Sequence, residues 1–212
     1  MSLVGKQFPN LEVNAMNEMG ETFKINVLEE AKKNNKKVLL FWYPKDFTYV
    51  CPTELHAFQE ALADFEAKNT MVIGASCDTA EVHFAWLNTP KDNGGIEGVT
   101  YPILADSNRN LSSRLGILDI ENEHYDEETG AYTVEGDNVT YRATYLIDEE
   151  GKIFHEGVND MPLGRNVSEF LRMIDAYTHV QKNGEVCPAN WEEGKEAMQA
   201  NSKGVASYLS SN

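Results

Sequence analysis

The run Lys36 to Tyr43, Lys-Lys-Val-Leu-Leu-Phe-Trp-Tyr, constrains the fold of this chain more than any other stretch. It is short, apolar and rich in strand formers, which suits a strand covered on both faces. Pro44 ends it. After a short loop, Cys51 and Pro52 open a helical pattern in which Leu55, Phe58, Leu62 and Phe65 recur at three- and four-residue steps on one face. Proline is favoured at the first helical position, and the spacing puts Pro52 there. Strand, loop, reactive residue, helix is how α/β folds commonly present a functional group.

Further strands are expected at Met71 to Ser76 and Tyr101 to Leu104. Tyr141 to Ile147 and Lys152 to His155 read as a hairpin around Asp148-Glu149-Glu150-Gly151. Helices alternate with them. One is expected from Asp78 to Leu87, with Asp78 and Glu81 at capping-box spacing. Another spans about Asn166 to Val180, with Val167, Phe170, Leu171 and Ile174 inward. Interleaved strands and helices with a late hairpin predict a mixed sheet flanked by helices on both sides. Ile120 to Asn138 is acidic and turn-rich, a surface excursion. From Asn183 the chain is polar and broken by Gly184, Pro188, Gly194 and Gly204. Residues 1–182 are therefore expected to form one domain, and 183–212 an extended C-terminal arm.

With 18 Lys and Arg against 34 Asp and Glu, the net charge is −16. Such a chain repels nucleic acid and anionic membrane, and neither is expected as a partner. No secretory signal and no apolar stretch near the ~20 residues of a membrane span can be read in it. Three cysteines without short spacing do not make a secreted disulfide framework, so the expectation is cytoplasmic. The histidines at 56, 83, 124, 155 and 179 lack metal-ligand spacing, and no metal is expected. His83 and Trp86 read as packing or surface residues, and Cys77, ending a strand, as a small buried hydrophobe. No dinucleotide fingerprint appears.

Cys51 is placed where unpaired N–H groups and the positive end of a helix dipole meet. A free thiol titrates near about 8.5, and a helix start is one of the few settings that favours a thiolate at neutral pH. To break a bond, this nucleophile needs a hydroxyl and a fixed positive charge nearby. Thr48 supplies the hydroxyl, and Pro44 shields the pocket and fixes the loop. Arg142 sits in an apolar strand-like run, where an arginine is costly to bury unpaired, and its natural partner is Glu54. Holding a thiolate and polarising an oxygen is the task such a pair suits.

The pattern Pro44-x-x-x-Thr48-x-x-Cys51 followed by Pro-Thr-Glu resembles the active-site signature of the peroxiredoxins. Gly184-Glu185-Val186-Cys187-Pro188-Ala189-Asn190-Trp191 resembles the resolving segment of the typical two-cysteine branch, which includes bacterial alkyl hydroperoxide reductases. Tyr141-Arg142-Ala143-Thr144 and Gly164-Arg165-Asn166-Val167 are similar to that family too. The resemblance implies a thioredoxin-like fold and a thiol peroxidase acting on hydrogen peroxide and alkyl hydroperoxides. It implies that Cys51 becomes a sulfenic acid, that Arg165 joins the Glu54 network, and that Cys187 of a second subunit condenses with Cys51. It further implies no bound cofactor, and electrons from an external thiol reductase, either a flavoprotein disulfide reductase or a thioredoxin. Homodimers, assembled as rings of five, follow from the same resemblance.

Two departures bear on oxidation sensitivity. Sensitive members carry Gly-Gly-Leu-Gly and a terminal Tyr-Phe, where this chain has Gly94-Gly95-Ile96-Glu97 and Tyr208-Leu209. The expectation is resistance to overoxidation, contradicted by abundant Cys51 sulfinic acid at low peroxide excess with the reductase running. Two other readings stand beside the peroxidase. A general thiol–disulfide oxidoreductase wants cysteines two residues apart, and insulin reduction reveals it. A chaperone or peroxide-sensing protein is revealed by client protection that survives Cys51→Ser.

Overall fold

The computed structural model describes residues 2–211. Near the start, β1 (Glu12–Met16) pairs antiparallel with β2 (Thr22–Asn26). Asn26 then caps α1 (Val27–Asn34) by accepting from the Glu29 N–H, and Asn35 in a left-handed conformation ends that helix. β3 (Lys37–Trp42) follows and is buried at every position, as a strand covered on both faces must be. After residues 43–50 come α2 (Cys51–Glu60), α3 (Leu62–Ala67), β4 (Thr70–Ser76) and α4 (Ala80–Leu87). The first unit is completed by β5 (Ile103–Ala105), α5 (Asn110–Leu115), β6 (Asn122–Tyr125), β7 (Tyr132–Glu135), β8 (Arg142–Ile147) and β9 (Ile153–Asn159).

Seven of these strands make one mixed sheet in the order β2-β1-β5-β4-β3-β8-β9. β3, β4 and β5 run parallel, and the remaining neighbours are antiparallel. Alternation along β3 sends its side chains to two cores. Val38, Leu40 and Trp42 join Val27 and Ala31 of α1 and Leu111 and Leu115 of α5. Phe41 points the other way and stacks on Phe58 of α2, with ring centroids 4.0 Å apart. Tyr43 continues that side and lies 5.9 Å from Trp86 of α4. Helices therefore cover both faces, as the sequence predicts.

Two local expectations change, and a third gains detail. The stripe from Leu55 to Phe65 is not one helix, because Ala61 breaks it into α2 and α3, its N–H reaching back to both Ala57 and Gln59 carbonyls. The Asp78 capping box does not form. The Asp78 carboxylate is taken by the Ser76 hydroxyl and the Asp46 N–H, and Thr79 becomes the cap residue instead. The acidic excursion is ordered as an exposed two-stranded hairpin, β6 with β7, and its Asp126 accepts from the Glu128 and Thr129 N–H groups in the turn. The β8–β9 hairpin turns as expected at Gly151, whose positive φ suits glycine.

The chain divides into two compact units at Arg165 and Asn166. The second unit holds α6 (Val167–Asn183), capped by the Asn166 side chain and closed by left-handed Gly184, and α7 (Ser202–Ser211). Phe170 and Ile174 of α6 are buried, while Val167 and Leu171 are only partly so. Among the described residues no helix is long and apolar enough to cross a membrane, and no cluster of His, Cys, Asp and Glu is placed to hold a metal ion.

Candidate active site

Cys51 is the first residue of α2 and is 1% exposed. Pro52 follows it, at the second helical position rather than the first. The residue before the helix, Val50, offers no side-chain cap, so the positive end of the helix is left to the Cys51 sulfur. β8 brings Arg142 against it. Its Nη1 lies 3.4 Å from the Cys51 Sγ and 2.7 Å from Glu54 Oε2, and its Nε donates to the Met161 carbonyl at 2.7 Å.

Glu54, one turn along α2, is held from both sides. Arg165 donates from Nε to Oε1 and from Nη2 to Oε2, each at 2.8 Å, and from its backbone N–H to Oε1 at 3.0 Å. Its Nη1 reaches the Ala143 carbonyl and the Thr144 hydroxyl, both at 3.0 Å. The guanidinium also lies 5.2 Å from the centroid of Phe41 and 5.7 Å from that of Phe58. All three charges are buried, at 3–4% exposure. Two arginines against one glutamate leave a net charge of +1 beside the sulfur.

Pro44 is buried at the end of β3, and the Thr48 hydroxyl donates to the Lys45 carbonyl at 2.8 Å. The hydroxyl hydrogen is therefore committed within the loop, and only the oxygen lone pairs face elsewhere. The loop is also anchored from beneath, by residues that sequence reasoning missed. Asp46 accepts from the Tyr43 hydroxyl at 2.8 Å and sits 2.7 Å from His83 Nδ1, and the second His83 nitrogen lies 3.1 Å from the Leu104 carbonyl. Both ring nitrogens of His83 thus face an oxygen within hydrogen-bonding distance. Burial pushes the Asp46 carboxyl up, against the opposing hydrogen bonds and charge of His83. Burial, reinforced by Asp46, likewise holds the Tyr43 hydroxyl well above its ordinary value. His83 is thus fully buried in a polar network, neither a ligand nor a surface residue. A charged residue two places past a strand-ending proline was the one available signal, and nothing local named its partner 37 residues away.

The other cysteines differ from Cys51. Cys77 is buried beside Ser112, and burial pushes its thiol up to about 11, which makes it inert. Cys187, in the second unit, is partly buried and donates to the Ala176 carbonyl of α6 at 3.6 Å. Burial raises its thiol, Arg172 opposes that, and Glu185 adds to it.

The AhpC/TSA family model matches residues 4–156, and a model for the C-terminal domain of 1-Cys peroxiredoxin matches residues 176–211. Alkyl hydroperoxide reductase C of Helicobacter pylori is 41% identical over 213 residues, covering 99% of this chain and 98% of that protein. Peroxiredoxin-2 of Bos taurus is 37% identical, covering 98% and 94%. Among solved structures, the reduced 2-Cys peroxiredoxin of Plasmodium vivax superposes with a TM-score of 0.88 at 37% identity, covering 99% of this chain and all of that one.

Proposed function

The chain belongs to the AhpC/TSA family and is a thiol-dependent peroxidase, and on that premise we propose that Cys51 attacks the hydroperoxide and that Cys187 resolves the product. The observation that carries the assignment is the Arg142 Nη1 at 3.4 Å from the Cys51 Sγ, inside a buried group of net charge +1. The Cys51 thiolate attacks the outer oxygen of hydrogen peroxide or an alkyl hydroperoxide. The S–O bond forms as the O–O bond breaks, and the hydroperoxide proton ends on the departing oxygen, giving water or an alcohol and a sulfenate that takes a proton from solvent to become the sulfenic acid. Arg142 donates to the oxygen that gains charge. Thr48, its own hydrogen given to Lys45, accepts the hydroperoxide O–H and so orients it. Pro44 walls the pocket, and Arg165 and Glu54 hold Arg142 in register.

The Cys187 thiolate of a second subunit then attacks the Cys51 sulfenic sulfur. An S–S bond forms, the S–O bond breaks, and the oxygen leaves as water after taking a proton. An external dithiol, from a flavoprotein disulfide reductase or a thioredoxin, restores both thiols by exchange, with no cofactor bound to this chain. Three unpaired cysteines and dependence on a thiol donor fit a reducing cytoplasm. A homodimer is supported by β9, a terminal strand of the sheet whose start is bonded to Gly5 and Lys6 and whose Val158, farther along, is 53% exposed and suits pairing with its own copy. One similar solved protein, a Plasmodium yoelii Prx1a modified at its N-terminus, is described as an artifactual octamer. Five dimers in a ring is our reading for this chain.

Peroxide consumption with dithiothreitol as donor tests the two cysteine roles. Cys51→Ser is expected to abolish it, whereas Cys187→Ser retains it, because a small thiol replaces the resolver. Undiminished consumption by Cys51→Ser overturns the assignment.

A further inference from the structure

The segment carrying Cys187 is seated on α6 by a cluster that the chemistry above does not use. His179, on α6, places Nε2 at 2.9 Å from Glu185 Oε2, two residues before the cysteine. Its Nδ1 lies 3.0 Å from Asn183 Nδ2, and its ring packs on Trp191 with centroids 4.9 Å apart. Trp191 is buried and is held further by Arg172, which donates to its carbonyl at 3.2 Å. Glu185 is also reached by Gln199, and the Val186–Met198 bridge closes the segment on itself. One histidine thus grips the Cys187 segment on both sides, at Glu185 before it and at Trp191 after it.

We propose that His179 is a positioning residue for disulfide formation, which holds the Cys187 segment on α6 and holds it more tightly when protonated. The proposal rests on Cys187 being the resolver. In its seat the Cys187 thiol faces the Ala176 carbonyl, so it must leave before it can attack a sulfenic acid elsewhere. With Asn183 donating to Nδ1, the neutral ring donates from Nε2 to Glu185. Protonation turns that bond into an ion pair, and Nδ1 then becomes a donor that the Asn183 amide accepts by turning its oxygen. The other charged groups around the ring lie along an adjacent cavity of about 330 Å³: Asp175 and Lys182 from α6, and Glu193 and Lys195 from the segment after Trp191. Together with Glu185 they place three carboxylates and two ammonium groups about the ring. Acidification therefore slows release of Cys187 through His179, separately from the ionisation of the Cys187 thiol itself at higher pH.

The test is quenched-flow mass analysis of the full-length reduced protein mixed with one equivalent of hydrogen peroxide, from pH 5.5 to 8. It reads Cys51 sulfenic acid and the Cys51–Cys187 disulfide separately. His179→Phe keeps the ring against Trp191 but loses the bond to Glu185. It is expected to form the disulfide about two- to fivefold faster than wild type at pH 6, the scale of a half-exposed charged pair. The near-neutral inflection should be lost, and sulfenic acid should form at the wild-type rate. Glu185→Gln, which keeps an acceptor without charge, is expected to lose the same inflection. Wild-type disulfide rates and pH profiles in both variants overturn the proposal alone. Absence of the disulfide in wild type overturns the resolver assignment and the proposal with it.

Discussion

Glu54 is the residue on which the site turns, because it separates two buried guanidinium groups and fixes the one that faces the sulfur. Removing one member of a buried ion pair costs far more than the pair contributes against an apolar replacement, since an uncompensated charge is left behind. Glu54→Gln is expected to lower unfolding stability by about 3–5 kcal/mol in urea denaturation and to slow Cys51 oxidation as Arg142 drifts. A midpoint unchanged from wild type contradicts this account of the charge balance. The pairing of Arg142 with Glu54 was legible in the sequence, since an arginine inside an apolar strand demands a carboxylate. The Asp46–His83 contact was not, because the two residues are brought together only by the strand order. Thr48 was legible as a hydroxyl near Cys51, but its bond to the Lys45 carbonyl is a choice made by the turn.

At the scale of elements, β3, the start of α2 and the β8–β9 hairpin were readable because periodicity and turn residues specify them locally. The break at Ala61 carries no glycine or proline, so nothing in its neighbourhood announced it. β1 and β2, which the sequence reading left unassigned, are short, and most of their outward positions are polar. Their place next to β5 is set by tertiary pairing. The segment after α4 shows how tightly one such connection is packed against the site helix. A Cβ on Gly95 would lie 1.8 Å from the Thr89 carbonyl oxygen, and the Gly95 carbonyl lies 3.0 Å from His56 Nε2 on α2. Since backbone rather than a flexible side chain blocks the space, Gly95→Ala must open the segment. The expected loss is about 1–3 kcal/mol, read as a lowered Tm in thermal unfolding. A Tm equal to wild type contradicts the packing described.

For the whole molecule, the composition set limits that the fold could not. A net charge of −16 favours solubility and disfavours polyanionic partners, whereas the central sheet ends at β9, whose Val158 is exposed. Val158→Asp places a like charge opposite its own symmetry mate on that edge, if the two β9 strands pair. It is expected to shift the protein toward monomer in size-exclusion chromatography with light scattering. An unchanged assembly contradicts pairing through β9. The exposed β6–β7 hairpin and its carboxylates were legible as a surface feature and have no part in the site described.

Peptide-mapped, non-reducing mass analysis of the reduced protein after one equivalent of hydrogen peroxide tests the central claim most directly. The expected result is a Cys51–Cys187 link between two chains, lost in either Cys→Ser variant. An unmodified Cys51 under a large excess of peroxide would contradict it.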